Sequence, residues 1–190
     1  MAAPRGAGVS RREQILSVAA QLFARHGFHG VSIADLGAAV GVSGPALYRH
    51  FPGKEALLAE MLVGISEHLL AGGRERAAAS ADPREVLESL VDFHLDFALR
   101  EPELIVVHER DLDNLPPAAH RQVRRLQRAY VEIWASALRR LRPTLSVEQA
   151  RAAAHAVFGL LNSTPHTARQ GIDPAPLLRR MALAALEAAG

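Results

Sequence analysis

Cysteine is absent from the 190 residues, which excludes a disulfide framework, a thiolate-held metal, an iron–sulfur cluster and a thiol nucleophile. Lysine is nearly absent too, Lys54 being the single one among 22 basic residues. With almost no amine to titrate near pH 10, a pI of about 9.6 coexists with a formal net charge of only +2. Aromatic residues make up 5% of the chain, and the one β-branched run is Ile105-Val106-Val107, so signals for a sheet are missing. No uninterrupted apolar stretch reaches the ~20 residues of a bilayer span. The start, MAAPRGAGVSRREQ, lacks the apolar core of a secretory leader. A cytoplasmic location without a membrane partner is the expectation. Phosphate-cradling glycine loops, His-Glu-x-x-His and Gly-x-Ser-x-Gly are missing as well, so no catalytic residue, metal ligand or cofactor is assigned. His26 and His29 have no carboxylate nearby to complete a site and read as helix-end residues.

Helix punctuation, by contrast, is dense. Ser10 to Glu13, Ser32 to Asp35 and Ser146 to Gln149 have the spacing of capping boxes, in which hydroxyl and acid or amide satisfy each other's backbone N–H. Asp82-Pro83 and Asp173-Pro174 pair a cap with a proline at the first helical position. Together with starts near Ser43, Gly53, Glu101 and Pro117 they predict an all-α protein of about nine helices. The spans are roughly 10–26, 32–39, 43–50, 53–78, 83–100, 102–112, 117–141, 146–170 and 174–188. Gly72-Gly73 should weaken the end of the fourth, and Pro165 should kink or end the eighth.

Charge is uneven. Residues 1–60 carry six basic and four acidic groups, and the remainder is balanced. In that positive end, Ile15, Ala19, Leu22 and Phe23 form a helical apolar stripe. Phe23, Phe28, Ile33, Leu36, Val40, Val42, Leu47 and Phe51 are the candidate core of a small bundle. Residues 32–51, SIADLGAAVGVSGPALYRHF, give two short helices around Gly41 with Val42 at the corner, the plan of a helix-turn-helix.

A longer pattern resembles the TetR/AcrR family of bacterial transcriptional repressors. It runs through Gln21-Leu22-Phe23-Ala24, Gly27-Phe28, Val31-Ser32-Ile33 and Gly41-Val42-Ser43, and ends in Leu47-Tyr48-Arg49-His50-Phe51-Pro52-Gly53-Lys54-Glu55-Ala56-Leu57. The resemblance implies a flexible arm (1–9), a helix-turn-helix DNA-binding domain (10–57) and a helical effector-binding and dimerisation domain (58–190). It implies a homodimer that occupies a palindromic operator in double-stranded DNA and is released by a small-molecule effector. Activation of transcription, or a helical interaction protein that binds no DNA, are the alternatives.

The DNA-binding candidates each have a chemical reading. Tyr48 offers a phenolic O–H to a phosphate, or packs half-buried. Lys54, at the start of the fourth helix, combines an ammonium with a helix N-terminus as an anion site. His50 either donates to a phosphate or packs the corner. Ser32 and Ser43 are N-caps whose exposed helix ends can also meet phosphates. Gly44, Pro45 and Ala46 bring no side-chain donor to the bases, although Pro45 and Ala46 can touch a thymine methyl. Ala34 is equally mute, which leaves Arg49 to read guanine. Arg5, Arg11 and Arg12 either follow the minor groove as an arm or stay in solvent.

Farther on, Ala152, Ala156, Gly159 and Ser163 recur at i, i+4, i+7 and i+11, flanked by Val157, Leu160 and Leu161, a small-residue face suited to close helix contact. With Leu177, Leu178, Met181, Ala182, Ala185 and Leu186 of the last helix they predict a four-helix dimer interface. Phe93, His94, Phe97, His108, Tyr130, Trp134, Phe158 and Asn162 are the effector-pocket candidates, either lining an apolar pocket or filling a core. Glu88, Asp92 and Asp96 attract a cation or form a solvated face. Arg121, Arg124, Arg125 and Arg128 are a solvated stripe or grip an anionic, acyl-coenzyme-A-like ligand. His108-Glu109-Arg110-Asp111-Leu112 and Gly159-Leu160-Leu161-Asn162-Ser163-Thr164 look like an actinobacterial branch of the family, in which some members act in lipid and acyl-CoA metabolism. The fourth helix, joining reader to pocket, is the expected lever.

Overall fold

The structure, a computed structural model, describes residues 10–167 and 173–189. Ten α-helices and no strand occur among the described residues: α1 Arg11–His26, α2 Ile33–Val40, α3 Gly44–Tyr48, α4 Lys54–Ala79, α5 Pro83–Arg100, α6 Pro102–Asp111, α7 Pro117–Leu141, α8 Val147–Leu161, α9 Thr164–Thr167 and α10 Ala175–Ala188. A single 3-10 turn, Leu112–Asn114, follows α6. The all-α expectation holds. Caps explain why the helices start where they do. Ser10, Ser32 and Ser146 each close a capping box with the residue three positions on, and the Asp82 carboxylate accepts the Arg84 N–H at 2.9 Å.

The end of the eighth helix differs from expectation. The eighth helix stops at Leu161, where Asn162 leaves the helix and Ser163 closes a turn on the Leu160 carbonyl at 2.7 Å. The one-turn α9 starts afresh with Pro165 in its first turn, where a proline lacks nothing. Residues 168–170 of the predicted span, like the 1–9 arm with Arg5, lie outside the described residues. Helix α4 runs through the Gly72-Gly73 pair to Ala79, within a residue of its expected end. These glycines are where α4 is approached most closely: a Cβ at Gly72 would sit 2.2 Å from the Phe93 ring, and one at Gly73 2.7 Å from the Tyr130 ring. The helix propensity given up is offset by packing.

Two apolar cores result. The N-terminal one joins Ile15, Phe23, Phe28, Leu36, Leu47 and Phe51 to Leu57, Leu58 and Leu62 of α4. Ile33, Val40 and Val42 pack against it partly buried. It also takes in Val107, Leu112, Leu115 and Val123, so α6 and the start of α7 are built into the base of the small bundle. The second core surrounds Trp134 and Leu138 of α7 with Leu90 and Val91 of α5, Ala154 and Leu161 of α8, and Leu178, Ala182 and Leu186 of α10. Each large side chain buried there contributes roughly 1.5–3 kcal/mol. Helix α4 has the length and mean hydropathy, 1.3, of a membrane span. It carries Glu60 and Glu67, packs on α5 and α7, and buries Leu57, Leu58, Met61, Leu62 and Leu70 in the two cores.

Candidate DNA-reading face and ligand cavity

Gly41, at φ 69° and ψ 37°, ends α2 in the left-handed region that favours glycine, and the Val42 N–H returns to the Gly37 carbonyl at 2.9 Å. That reversal delivers Ser43, whose hydroxyl caps α3 on the Ala46 N–H at 3.4 Å. Leu47 is fully buried and anchors the short helix. At 100° per residue, Pro45, Tyr48 and Arg49 then fall on the opposite, solvent side, and Tyr48 is 55% exposed. Ser43 is exposed at the helix start, and Gly44 is half-buried next to it. Ala46 and His50 are half-buried on the Leu47 side. Arg49 stands one residue past the helix, in αR geometry, because α3 ends at Tyr48 rather than 50.

Four candidates are engaged by other groups of the protein. The Lys54 ammonium donates to the Phe28 carbonyl at 3.0 Å and the Val31 carbonyl at 3.2 Å, and lies 4.4 Å above the Phe28 ring. It faces inward and ties the α1–α2 connection to α4. The Ser32 hydroxyl donates to the Asp35 carboxylate at 2.6 Å while accepting the Asp35 N–H, so it is committed to its cap. This pairing also holds the Asp35 carboxyl below its usual range, the hydroxyl being the first cause. The arm arginines are anchored as well. Arg12 grips Glu60, donates to the His50 carbonyl at 2.6 Å and covers the Phe51 ring, and Arg11 reaches the Val40 carbonyl at 3.2 Å. Sequence spacing places a cation near a surface, but not on which side of it.

The second site is a cavity of about 330 Å³ enclosed by five helices and the residue after α8. From the candidates it brings together His94, Phe97, His108, Tyr130, Phe158 and Asn162. Trp134 is excluded: it is fully buried behind the cavity, edge-on to Phe158 at 5.0 Å and to His94 at 6.2 Å. Phe93 is excluded too. One residue from His94 on α5, it turns outward, covers Gly72, and lies 3.9 Å below the Arg76 guanidinium. Sequence reasoning missed Ile65, Ser66 and Leu69 of α4, and Leu104, Ile105 and Glu109 of α6. It also missed Gln127 and Val131 of α7 and His155 of α8; Arg124 entered only as one of a basic row. A signal existed on α7, where residues 124, 127, 130 and 131 share a helix face with Tyr130.

Burial favours the neutral form of His94 and His108. His94 is pushed down to about 4 by desolvation, which its bond to Asn162 only partly opposes. His108, against Gln127, is lowered by burial and then by the Arg124 charge. Two of the three acids in the α5 row are paired, Asp92 with Arg179 at 2.6 Å and Asp96 with Arg100 at 2.7 Å. Arg121, Arg124, Arg125 and Arg128 are exposed and take no ion-pair partner among the described residues.

Ala152, Ala156 and Gly159 of α8 are exposed, with Leu160 and Ser163 half-buried. Leu177 and Met181 of α10 are 52% and 46% exposed, and Ala185 is exposed beside them. Leu178 and Ala182, expected in the interface, face their own subunit's core at 4% and 0% exposure. Leu186 is buried with them at 2%, so of the expected α10 residues Leu177, Met181 and Ala185 face outward, together with 184 and 188.

The profile of bacterial regulatory proteins of the tetR family matches residues 15–61, and that of the tetracyclin repressor-like C-terminal domain matches residues 80–166. The HTH-type transcriptional repressor KstR2 of Rhodococcus jostii RHA1 is 30% identical over 105 residues, 55% of this chain and 52% of the relative. The chain thus spans about half the length of the curated relatives it matches. A TetR-family regulator from Bordetella parapertussis 12822 superposes with a TM-score of 0.84 at 29% identity, covering 93% of this chain and 94% of its own. AibR, solved with isovaleryl coenzyme A and operator DNA, shares the fold at a TM-score of 0.76 and 17% identity, covering 92% and 96% of the two chains. The chain belongs to the tetR family of bacterial regulatory proteins.

Proposed function

We propose that the protein is a ligand-responsive transcriptional repressor that binds a palindromic operator as a homodimer. The observation that carries this reading is the outward face of α3, where Ser43, Pro45, Tyr48 and Arg49 stand free of the core on a helix anchored by Leu47. Tyr48 and Ser43 hold phosphates, Pro45 meets a thymine methyl, and Arg49 reads guanine in the major groove. Lys54 acts indirectly by fixing the loop behind this face. The exposed α8 and α10 faces pair two copies, as a two-fold operator with half-sites about 34 Å apart requires.

The effector occupies the 330 Å³ cavity, which lies near the lower end of the roughly 300–1,000 Å³ typical of small-ligand sites. Its apolar interior and the unpaired arginines at and beyond its rim suit an acyl-CoA-like molecule, with the apolar part inside and the phosphates outside. Isovaleryl coenzyme A in AibR is consistent with this reading.

Helix α6 couples the two sites, alongside α4. His108 and Glu109 face the cavity, while the next two residues hold the DNA-side bundle. Arg110 caps the α1 carbonyls of Phe23 and Ala24, and Asp111 accepts the Phe28 N–H at 3.4 Å. A ligand that favours a shifted α6 therefore changes the spacing of the two α3 helices, and it acts only through that difference in affinity. Mobility shift on the DNA upstream of the protein's own gene tests the reading. Binding that weakens steeply with salt and is released by effector supports it; a strictly monomeric protein indifferent to that DNA at low salt overturns it.

A further inference from the structure

The cavity contains a hydrogen-bonded chain that the DNA-side coupling does not use. His94 is 4% exposed and both of its ring nitrogens are engaged. Nδ1 lies 3.3 Å from the Tyr130 hydroxyl and Nε2 lies 3.0 Å from Asn162 Oδ1. The imidazole is held flat by Phe158, stacked 4.9 Å away, and by Tyr130 on the neighbouring helix. Because it is neutral, it carries one proton. A carboxamide oxygen only accepts, so that proton is on Nε2 and is donated to Asn162. Nδ1 is then an acceptor and takes the Tyr130 hydroxyl proton. The direction of both bonds follows from Asn162 alone.

The consequence falls on the other half of that amide. With Oδ1 turned to His94, the two N–H bonds of Nδ2 are left on a side chain that lines the cavity. Among the described residues nothing accepts from them. The backbone of Asn162 is fixed as well, its N–H returning to the Phe158 carbonyl at 2.8 Å. Donors placed in this way penalise any ligand that fills the space without offering an acceptor, since a buried N–H left unpaired costs more than a hydrogen bond gains.

We propose that Asn162 reads a carbonyl oxygen of the effector, and that Tyr130 and His94 are positioning residues that keep its amide turned to donate. The site selects an uncharged acceptor joined to an apolar body, such as a thioester carbonyl, over a group without an acceptor oxygen. The inference rests on the cavity being the effector site.

Two probes differing only in that oxygen test it: hexanoyl-CoA and S-hexyl-CoA, a thioether with a methylene in place of the carbonyl. Titration calorimetry on the full chain should show the thioester bound about ten-fold more tightly. Asn162→Leu should abolish the preference while leaving thioether affinity nearly unchanged. Asn162→Asp, an acceptor in place of a donor, should reverse it. His94→Phe keeps the stacked ring and should reduce the preference with Asn162 still present. Equal affinity of the wild type for both probes, or a preference that survives Asn162→Leu, overturns the assignment. Binding of neither probe overturns it together with the acyl-carrier reading of the effector. Operator binding measured on the same samples is independent: a chain that discriminates the probes but ignores DNA overturns the repressor reading alone.

Discussion

Asp111 and Lys54 hold the two sides of one residue: Asp111 accepts the N–H of Phe28 at 3.4 Å, and Lys54 donates to its carbonyl at 3.0 Å. One comes from α6 and the other from α4, the two helices that run from the cavity to the small bundle. The sole lysine of the chain is therefore a structural tie. Lys54→Met should lower stability by about 1–3 kcal/mol, because two carbonyls lose a charged donor. Operator affinity should fall, yet the slope of log K against log salt should stay the same, since no phosphate contact is lost. Anisotropy titrations at several salt concentrations check this; a slope reduced by about 1.8, one phosphate contact from each protomer, would restore Lys54 as a phosphate contact.

Arg49 is the one guanidinium on the exposed α3 face. Arg49→Ala should flatten discrimination at one base pair per half-site by about 1–3 kcal/mol, measured across operator variants. A uniform loss over all variants would make it a phosphate contact instead.

Adjacent residues of α10 face opposite ways, Met181 outward and Ala182 into the core. Met181→Glu should yield monomers in light scattering and abolish operator binding while leaving the fold intact. Ala182→Glu, in the core at 0% exposure, should unfold the subunit. On α8, a Cβ at Gly159 meets nothing within 4 Å, so any effect of Gly159→Leu on assembly reports the interface rather than the subunit's interior.

His94 gives stability a pH dependence. Unfolded, it takes up a proton near pH 6.5; folded, it resists protonation down to about 4. Between those values the unfolded state binds more protons, so its stabilising contribution is complete above pH 6.5 and is lost as the pH falls. The slope approaches about 1.4 kcal/mol per pH unit. Denaturant melts of wild type and His94→Gln at pH 7, 6 and 5 should diverge by that amount in slope; parallel curves would refute a neutral, buried His94.

Cap chemistry is local, which is why the starts of α1, α2 and α8 could be read from Ser10, Ser32 and Ser146 alone. The family string located the exposed face of α3 for the same reason: a tight turn and a five-residue helix leave few arrangements open. What failed is the choice between similar side chains of one helix. Phe93 and Phe97, or Leu177 and Leu178, have the same composition and periodicity, and which of them turns inward depends on where α4, α7 or α8 lies against that helix. Lys54 misled because a cation at a helix start suits either an anion in solvent or carbonyls behind it. The Phe28 and Val31 carbonyls become available only through the fold of the α1–α2 connection. The string His108 to Asp111 stood out only as the mark of a branch of the family; in the structure its first two residues line the cavity and its last two hold the small bundle.

The placement of Trp134 equips the molecule with its own fluorimeter. It is the single indole in the chain, sealed from water and set at right angles to rings that border the cavity. Anything that displaces Phe158 or His94 alters the surroundings of that lone chromophore, so occupancy can be followed by emission from unlabelled protein.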